Sequence, residues 1–231
     1  EPGKRWTNLR DQHELYCAGH LFEFATAYYL ASGKSKILDV ARRYADHIAQ
    51  QFGHGEGQKR GYPGHEEIEL ALVKLYRVTG ERRYLDLAQY FVDERGQQPH
   101  YYDLEAIARG DDPAKYWAGG HDYNQSHVPV REQKEAVGHA VRAMYLYSGV
   151  ADLVAEQGDP QLYAALRRLW QSVTRRRMYI TGGVGSSAVG ERFSYDYDLP
   201  NDTAYAETCA AIGLVLWAHR MLQIERRAEY G

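Results

Sequence analysis

Cysteine is nearly missing from this sequence. Cys17 and Cys209 are the only two among 231 residues, too few for the disulfide framework of a small secreted domain. No apolar run approaches the ~18–20 residues of a membrane span. No signal-peptide pattern opens the chain, and the expected location is cytoplasmic. An excess of charge is missing too: 28 Lys and Arg face 31 Asp and Glu, for a net charge of -3. That balance gives no electrostatic case for nucleic acid or an anionic membrane as partner. Disorder is excluded by a 44% apolar and 13% aromatic content, which is enough to bury a core.

What the chain does have is 20 tyrosines and 10 histidines. Tyrosine joins an apolar ring to a hydroxyl, so its clusters suit either carbohydrate faces or wet core edges. The apolar spacing predicts helices over 9–31, 35–51, 65–79, 82–94, 131–157 and 160–176, with a last one from about 203 capped by Asp202. Gly33 and Gly80 end two of these runs. Aligned on those glycines, 47 residues apart, Leu38 matches Leu85, Asp39 matches Asp86, Ala41 matches Ala88 and Tyr29 matches Tyr76. A weaker copy follows Gly158, with Leu162 and Leu166. Each unit is helix, tight turn, helix. About seven helices and no strand ladder predict an all-α chain of repeated antiparallel hairpins. Such hairpins form an open solenoid or a closed α/α toroid. Two long inserts, 96–130 and 177–202, interrupt the hairpins and are rich in aromatics. They favour a toroid whose inserts crown a cavity.

Several groups can carry chemistry. His13, Cys17 and His20 share one helical face and offer a metal-ligand geometry; the alternative is a core edge. The acidic run Glu66, Glu67 and Glu69 is explained by a helix dipole, whereas His65 before it is not. The glycines 182–185 lack the ending and the strand of a phosphate loop, and suit flexible closure over a site. Glu191, between Gly190 and aromatics, can have its pKa raised by desolvation, as a general acid needs; otherwise it pairs with Arg192. Glu207 and Cys209 are both zinc-ligand types. At i, i+2 they lie about 200° apart on an ideal helix, so joint ligation needs a distorted helix start.

The segments ELYCAGH (14–20), GYPGHEEIELALVKLYRVTGERRYLDLA (61–88), YNQSHVPVREQKEAVGHAVRAMYLYSG (123–149), MYITGGVGS (178–186) and DYDLPNDTAYAETCAAIG (196–213) follow one another in this order. Together they strongly resemble the β-L-arabinofuranosidases of glycoside hydrolase family 127, through nearly the whole chain. The Glu-Thr-Cys motif is the most specific part. The resemblance implies an (α/α)6-barrel catalytic domain, with residues 1–231 as part of that single domain, truncated at both ends. It implies a zinc-dependent, retaining hydrolase releasing terminal β-L-arabinofuranose from a carbohydrate substrate. By match to the motifs, Glu191 is the general acid/base and Glu207 and Cys209 are two zinc ligands. His139, His65 and His20 match histidines that contact the sugar.

One departure matters. The family's nucleophile and its remaining zinc ligand are a pair of cysteines well downstream of Glu-Thr-Cys. Here 22 residues follow Cys209, none of them cysteine, and Cys17 lies in the wrong motif. The chain therefore reads as an internal fragment, inactive alone, with the remaining ligands of Zn2+ outside it. Two alternatives stand beside this reading: a glycosidase for another sugar on the same scaffold, and a non-catalytic helical-repeat binding module.

Overall fold

The computed structural model describes residues 2–231. Eight α-helices run in order: α1 (Glu14–Ser32), α2 (Lys36–Gln51), α3 (Ile68–Thr79), α4 (Arg82–Glu94), α5 (Tyr101–Arg109), α6 (Ala140–Gln157), α7 (Pro160–Arg176) and α8 (Thr208–Ile224). Short 3-10 turns and isolated bridges connect them, and no strand ladder forms among the described residues. The chain is all-α. None of its described helices is long and apolar enough to cross a membrane.

The repeat seen in the sequence is a repeat of structure. Gly33 and Gly80 adopt left-handed φ values of 70° and 72° and donate their N–H to the carbonyls of Tyr29 and Tyr76. A side chain is strained in that region, whereas glycine adopts it freely. The next helix then starts in the same register. Leu38 and Ala41 on α2, Leu85 and Ala88 on α4, and Leu162 and Leu166 on α7 are all buried. One face of each second helix therefore packs on its hairpin partner.

The chain divides into two compact units, the first ending at Ala114 and the second running from Lys115 to Gly231. In the first, α1 packs against α2 and α3, and α3 against α4. In the second, α6 packs against both α7 and α8. The second core centres on Trp217, fully buried, with Tyr147 and Trp170 each 4.9 Å from it.

Four helix starts differ from the sequence reading, and one helix is additional to it. α1 begins at Glu14, not 9, because the N–H groups of Leu9 and Arg10 go to the Glu105 carboxylate at 2.8 and 2.9 Å. α3 begins at Ile68 because Glu67 is extended, with φ 177°. α6 begins at Ala140, capped by His139. α8 begins at Thr208 after an extended Glu207, so Asp202 is not its cap. The eighth helix, α5, lies in the stretch expected to be irregular. Its Tyr102 hydroxyl donates to Pro63 O at 2.7 Å.

The acidic run before α3 is not a solvated first turn. Glu66, Glu67 and Glu69 are buried. Buried Arg95 lies 2.9 Å from Glu66 Oε1 and 3.2 Å from Glu69 Oε1. It also donates to Pro63 O at 2.8 Å. An ion cluster around Arg95, rather than the helix dipole, accounts for Glu66 and Glu69, and Glu67 lies 3.2 Å from His20.

α7 carries a testable cap. Asp159 accepts from the N–H groups of Gln161 and Leu162 at 2.8 and 3.0 Å, and pairs with Arg131 at 2.6 Å. Burial pushes its pKa up, but these hydrogen bonds outweigh burial and hold it below the usual Asp value. Asp159→Ala is expected to destabilise the protein by about 1–2 kcal/mol in denaturant titration, the cost of losing a good N-cap. The sign in pH follows from the lowered pKa. The contribution is complete above the unfolded value of ~3.9 and is lost as pH falls through the lower folded value. Equal stability of the two proteins at pH 7 would contradict the capping role.

Candidate active site

The second unit gathers four of the residues singled out from the sequence: His139, Glu191, Glu207 and Cys209. His139, at the N-cap of α6, accepts the N–H of Arg142 on Nδ1 at 3.3 Å. That places its proton on Nε2, which donates to Glu191 Oε2 at 3.0 Å. Gly138 makes this possible. It has φ 71°, and a Cβ there would lie 2.0 Å from Asp122 O, so only glycine admits the close turn that aims His139.

Glu191 sits at the end of a tight turn. Ser187 and Arg192 exchange both backbone hydrogen bonds, at 3.2 and 3.1 Å, and Glu191 itself is left-handed with φ 51°. The turn is fastened to α6: Ala140 N–H donates to Glu191 O at 3.0 Å and Phe193 N–H to Gly138 O at 2.9 Å. A non-glycine residue in this conformation is uncommon and held by its surroundings. The second Glu191 oxygen, Oε1, accepts from the Tyr205 hydroxyl at 2.5 Å. These two donors, Tyr205 first and His139 second, hold the Glu191 carboxyl below its usual pKa. The expectation of a raised pKa is thereby corrected, because hydrogen bonds to the charged form outweigh desolvation at a side chain that is 44% exposed. Tyr205 responds in the opposite sense, its hydroxyl pushed up to about 12.

Arg192 does not serve as the counter-ion that the sequence offered. Its guanidinium lies 5.3 Å from the Tyr123 ring centre, and Arg142 lies 4.7 Å from the same ring. The glycine loop is fastened rather than open. Ala206 N–H donates to Gly185 O at 2.9 Å and Tyr205 N–H to Ser186 O at 3.2 Å. The loop thus delivers Tyr205 and Glu207 to Glu191. Spacing could not reveal Tyr205; it lies 14 positions from its partner.

Glu207 precedes α8 in an extended conformation, with φ −55° and ψ 135°. The helical angle between Glu207 and Cys209 therefore does not apply, and the two side chains meet. A hydrogen bond from the Cys209 thiol to Glu207 is the largest cause of that thiol's raised pKa. Glu207 Oε2 is buried with no hydrogen-bond partner. Ligand atoms of His139, Glu191 and Glu207 all lie within 4.8 Å of one another. Both nitrogens of His139 are already engaged, which leaves Glu207 with an open lone pair and Cys209 beside it.

The first unit holds the other two histidines. Tyr16 is the centre, its ring 4.4 Å from both His20 and His65. His65 Nδ1 donates to Glu66 O at 2.8 Å, and His20 Nδ1 lies 3.2 Å from Glu67 Oε1. Burial lowers the His20 pKa, with Glu23 opposing it. His13, absent from the sugar-contact set read from the sequence, stands 5.7 Å from His65. His13, Cys17 and His20 do not form a close metal-ligand group among the described residues, since Cys17 is exposed and His20 turns to Glu67.

This arrangement has relatives. The chain is 46% identical over 228 residues to a non-reducing end β-L-arabinofuranosidase of Bifidobacterium longum subsp. longum, covering 98% of this chain and 35% of that protein. It is similar to the crystal structure of a GH127 β-L-arabinofuranosidase from Geobacillus stearothermophilus T6. There the TM-score is 0.97 at 62% identity, over 99% of this chain and 36% of that one. A GH127 β-arabinofuranosidase matches with a TM-score of 0.86 at 43% identity, over 98% of this chain and 33% of that one. The chain thus spans about a third of the length of these relatives. The family described as "Beta-L-arabinofuranosidase, GH127 catalytic domain" matches residues 1–231. On that match the chain belongs to the catalytic-domain family of glycoside hydrolase family 127.

Proposed function

We propose that these residues are part of a closed (α/α)6 catalytic domain in a longer protein. We further propose that this protein is a retaining, zinc-dependent hydrolase releasing terminal β-L-arabinofuranose, with Glu191 as its general acid/base. One observation carries the proposal: the Glu191 carboxylate is solvent-accessible, yet fixed by His139 Nε2–H and the Tyr205 hydroxyl. A retaining cycle asks one carboxyl group to protonate the leaving oxygen and then to deprotonate water. The two donors keep Glu191 ionised at rest, which suits the second half. For the first half the carboxyl must take up a proton. Tyr205 is the more exposed donor, and a sugar oxygen that displaces its hydroxyl removes the stronger cause of the lowered pKa. His139, His65 and His20 are assigned to contacts with the sugar.

The metal reading rests on donor chemistry. The orphaned buried oxygen of Glu207 and the adjacent Cys209 thiol fit two positions of a zinc site. When bound, zinc deprotonates a coordinated thiol outright. The nucleophile is assigned to a cysteine outside these 231 residues, so the isolated chain is expected to be inactive. In the longer protein, Glu207→Gln and Cys209→Ser are each expected to lower metal affinity about 10–100-fold or more, read as lost zinc in metal analysis after dialysis. Full retention of zinc in both variants would reject the assignment. A panel of aryl glycosides checks the sugar: turnover confined to another glycoside would replace arabinofuranose in the reading.

A further inference from the structure

We propose that Trp117 is the platform for the leaving group, and that the leaving group it selects is a second sugar ring. The proposal deepens the reading of Glu191 as acid/base and rests on it. Trp117 is 66% exposed. It is nevertheless held in place. Its ring stands edge-on to Tyr123 at 4.8 Å and 71°, and Tyr116 flanks it at 5.7 Å. Tyr123 is buried, and His139 stands 5.7 Å from it at 80°. His139 in turn holds Glu191 at 3.0 Å. Trp117 is therefore two ring contacts from the proton-donating carboxyl.

A second tie fixes the side on which it lies. Arg192, the residue after Glu191, donates to Ala118 O at 3.3 Å while its guanidinium covers Tyr123. The segment bearing Trp117 is thus fastened directly to the turn bearing Glu191. A general acid stands beside the leaving oxygen, so a surface tied to the acid faces the aglycone. An indole face offers a sugar ring broad apolar contact with its C–H groups, and its two side-chain torsions make that contact at low entropic cost. A small alkyl aglycone gains little from it.

The experiment compares two substrates in the longer protein: methyl β-L-arabinofuranoside, and a disaccharide whose leaving group is a second sugar ring. Trp117→Ala is expected to lower the ratio of kcat/KM for the disaccharide to that for the methyl glycoside by about 5–20-fold, with Trp117→Phe recovering most of it. A ratio unchanged within about twofold overturns the platform, because a merely structural tryptophan would move both substrates together. If the unaltered protein cleaves neither substrate, the activity reading fails by itself, and binding still decides. Fluorescence quenching by the disaccharide that disappears in Trp117→Phe supports the platform; quenching that is absent or that persists in Trp117→Phe overturns it.

Discussion

Glu191→Gln is expected to abolish most of the hydrolysis of ordinary glycosides by the longer protein, by about 10²–10⁴-fold in kcat/KM, the range that positioned proton transfer supplies. The substitution keeps shape and one acceptor, so the turn between Ser187 and Arg192, held by backbone hydrogen bonds, is expected to persist. It removes the ability to exchange a proton with the leaving oxygen. Circular dichroism and the thermal midpoint separate loss of chemistry from loss of fold. An unaffected kcat/KM would remove Glu191 from the mechanism.

Arg95→Ala is expected to be the most destabilising single substitution, by about 3–5 kcal/mol, because it strands buried carboxylates. Glu66 and Glu69 are almost fully buried against it, as is Arg95 itself. The guanidinium also supports Pro63 O and lies 5.0 Å from the Tyr62 ring centre. The same loop carries His65, so the loss would reach a proposed sugar contact. Arg95→Lys keeps the charge without the planar fork and is expected to fall between Ala and the native residue. Denaturant midpoints measure all three. A loss below about 1 kcal/mol for Arg95→Ala would show that the carboxylates are protonated or satisfied otherwise.

The readable parts of the fold were those where apolar spacing and glycine coincide. α2, α4 and α7 fall within a residue of expectation. The hidden parts have polar residues in core positions. α5 escaped because Glu105, which receives two backbone N–H groups, occupies a buried site that apolar counting treats as surface. Glu66, Glu67 and Glu69 misled for the same reason. At the site, family motifs pointed to His139, Glu191, Glu207 and Cys209, but their physical relation was not legible. His139 and Glu191 lie 52 positions apart. Helical geometry argued against Glu207 beside Cys209 until the helix was seen to begin at Thr208. Only the folded turn reveals that Glu191 is held ionised rather than neutral.

Glu191 is proposed to deliver a proton to the leaving oxygen. The most direct test of that role is the dependence of the Glu191→Gln defect on leaving-group acidity, measured in the longer protein with a series of β-L-arabinofuranosides. The defect is expected to shrink steadily as the leaving group becomes more acidic and to approach none for the best, which needs no protonation. A defect of constant size across the series would contradict that role.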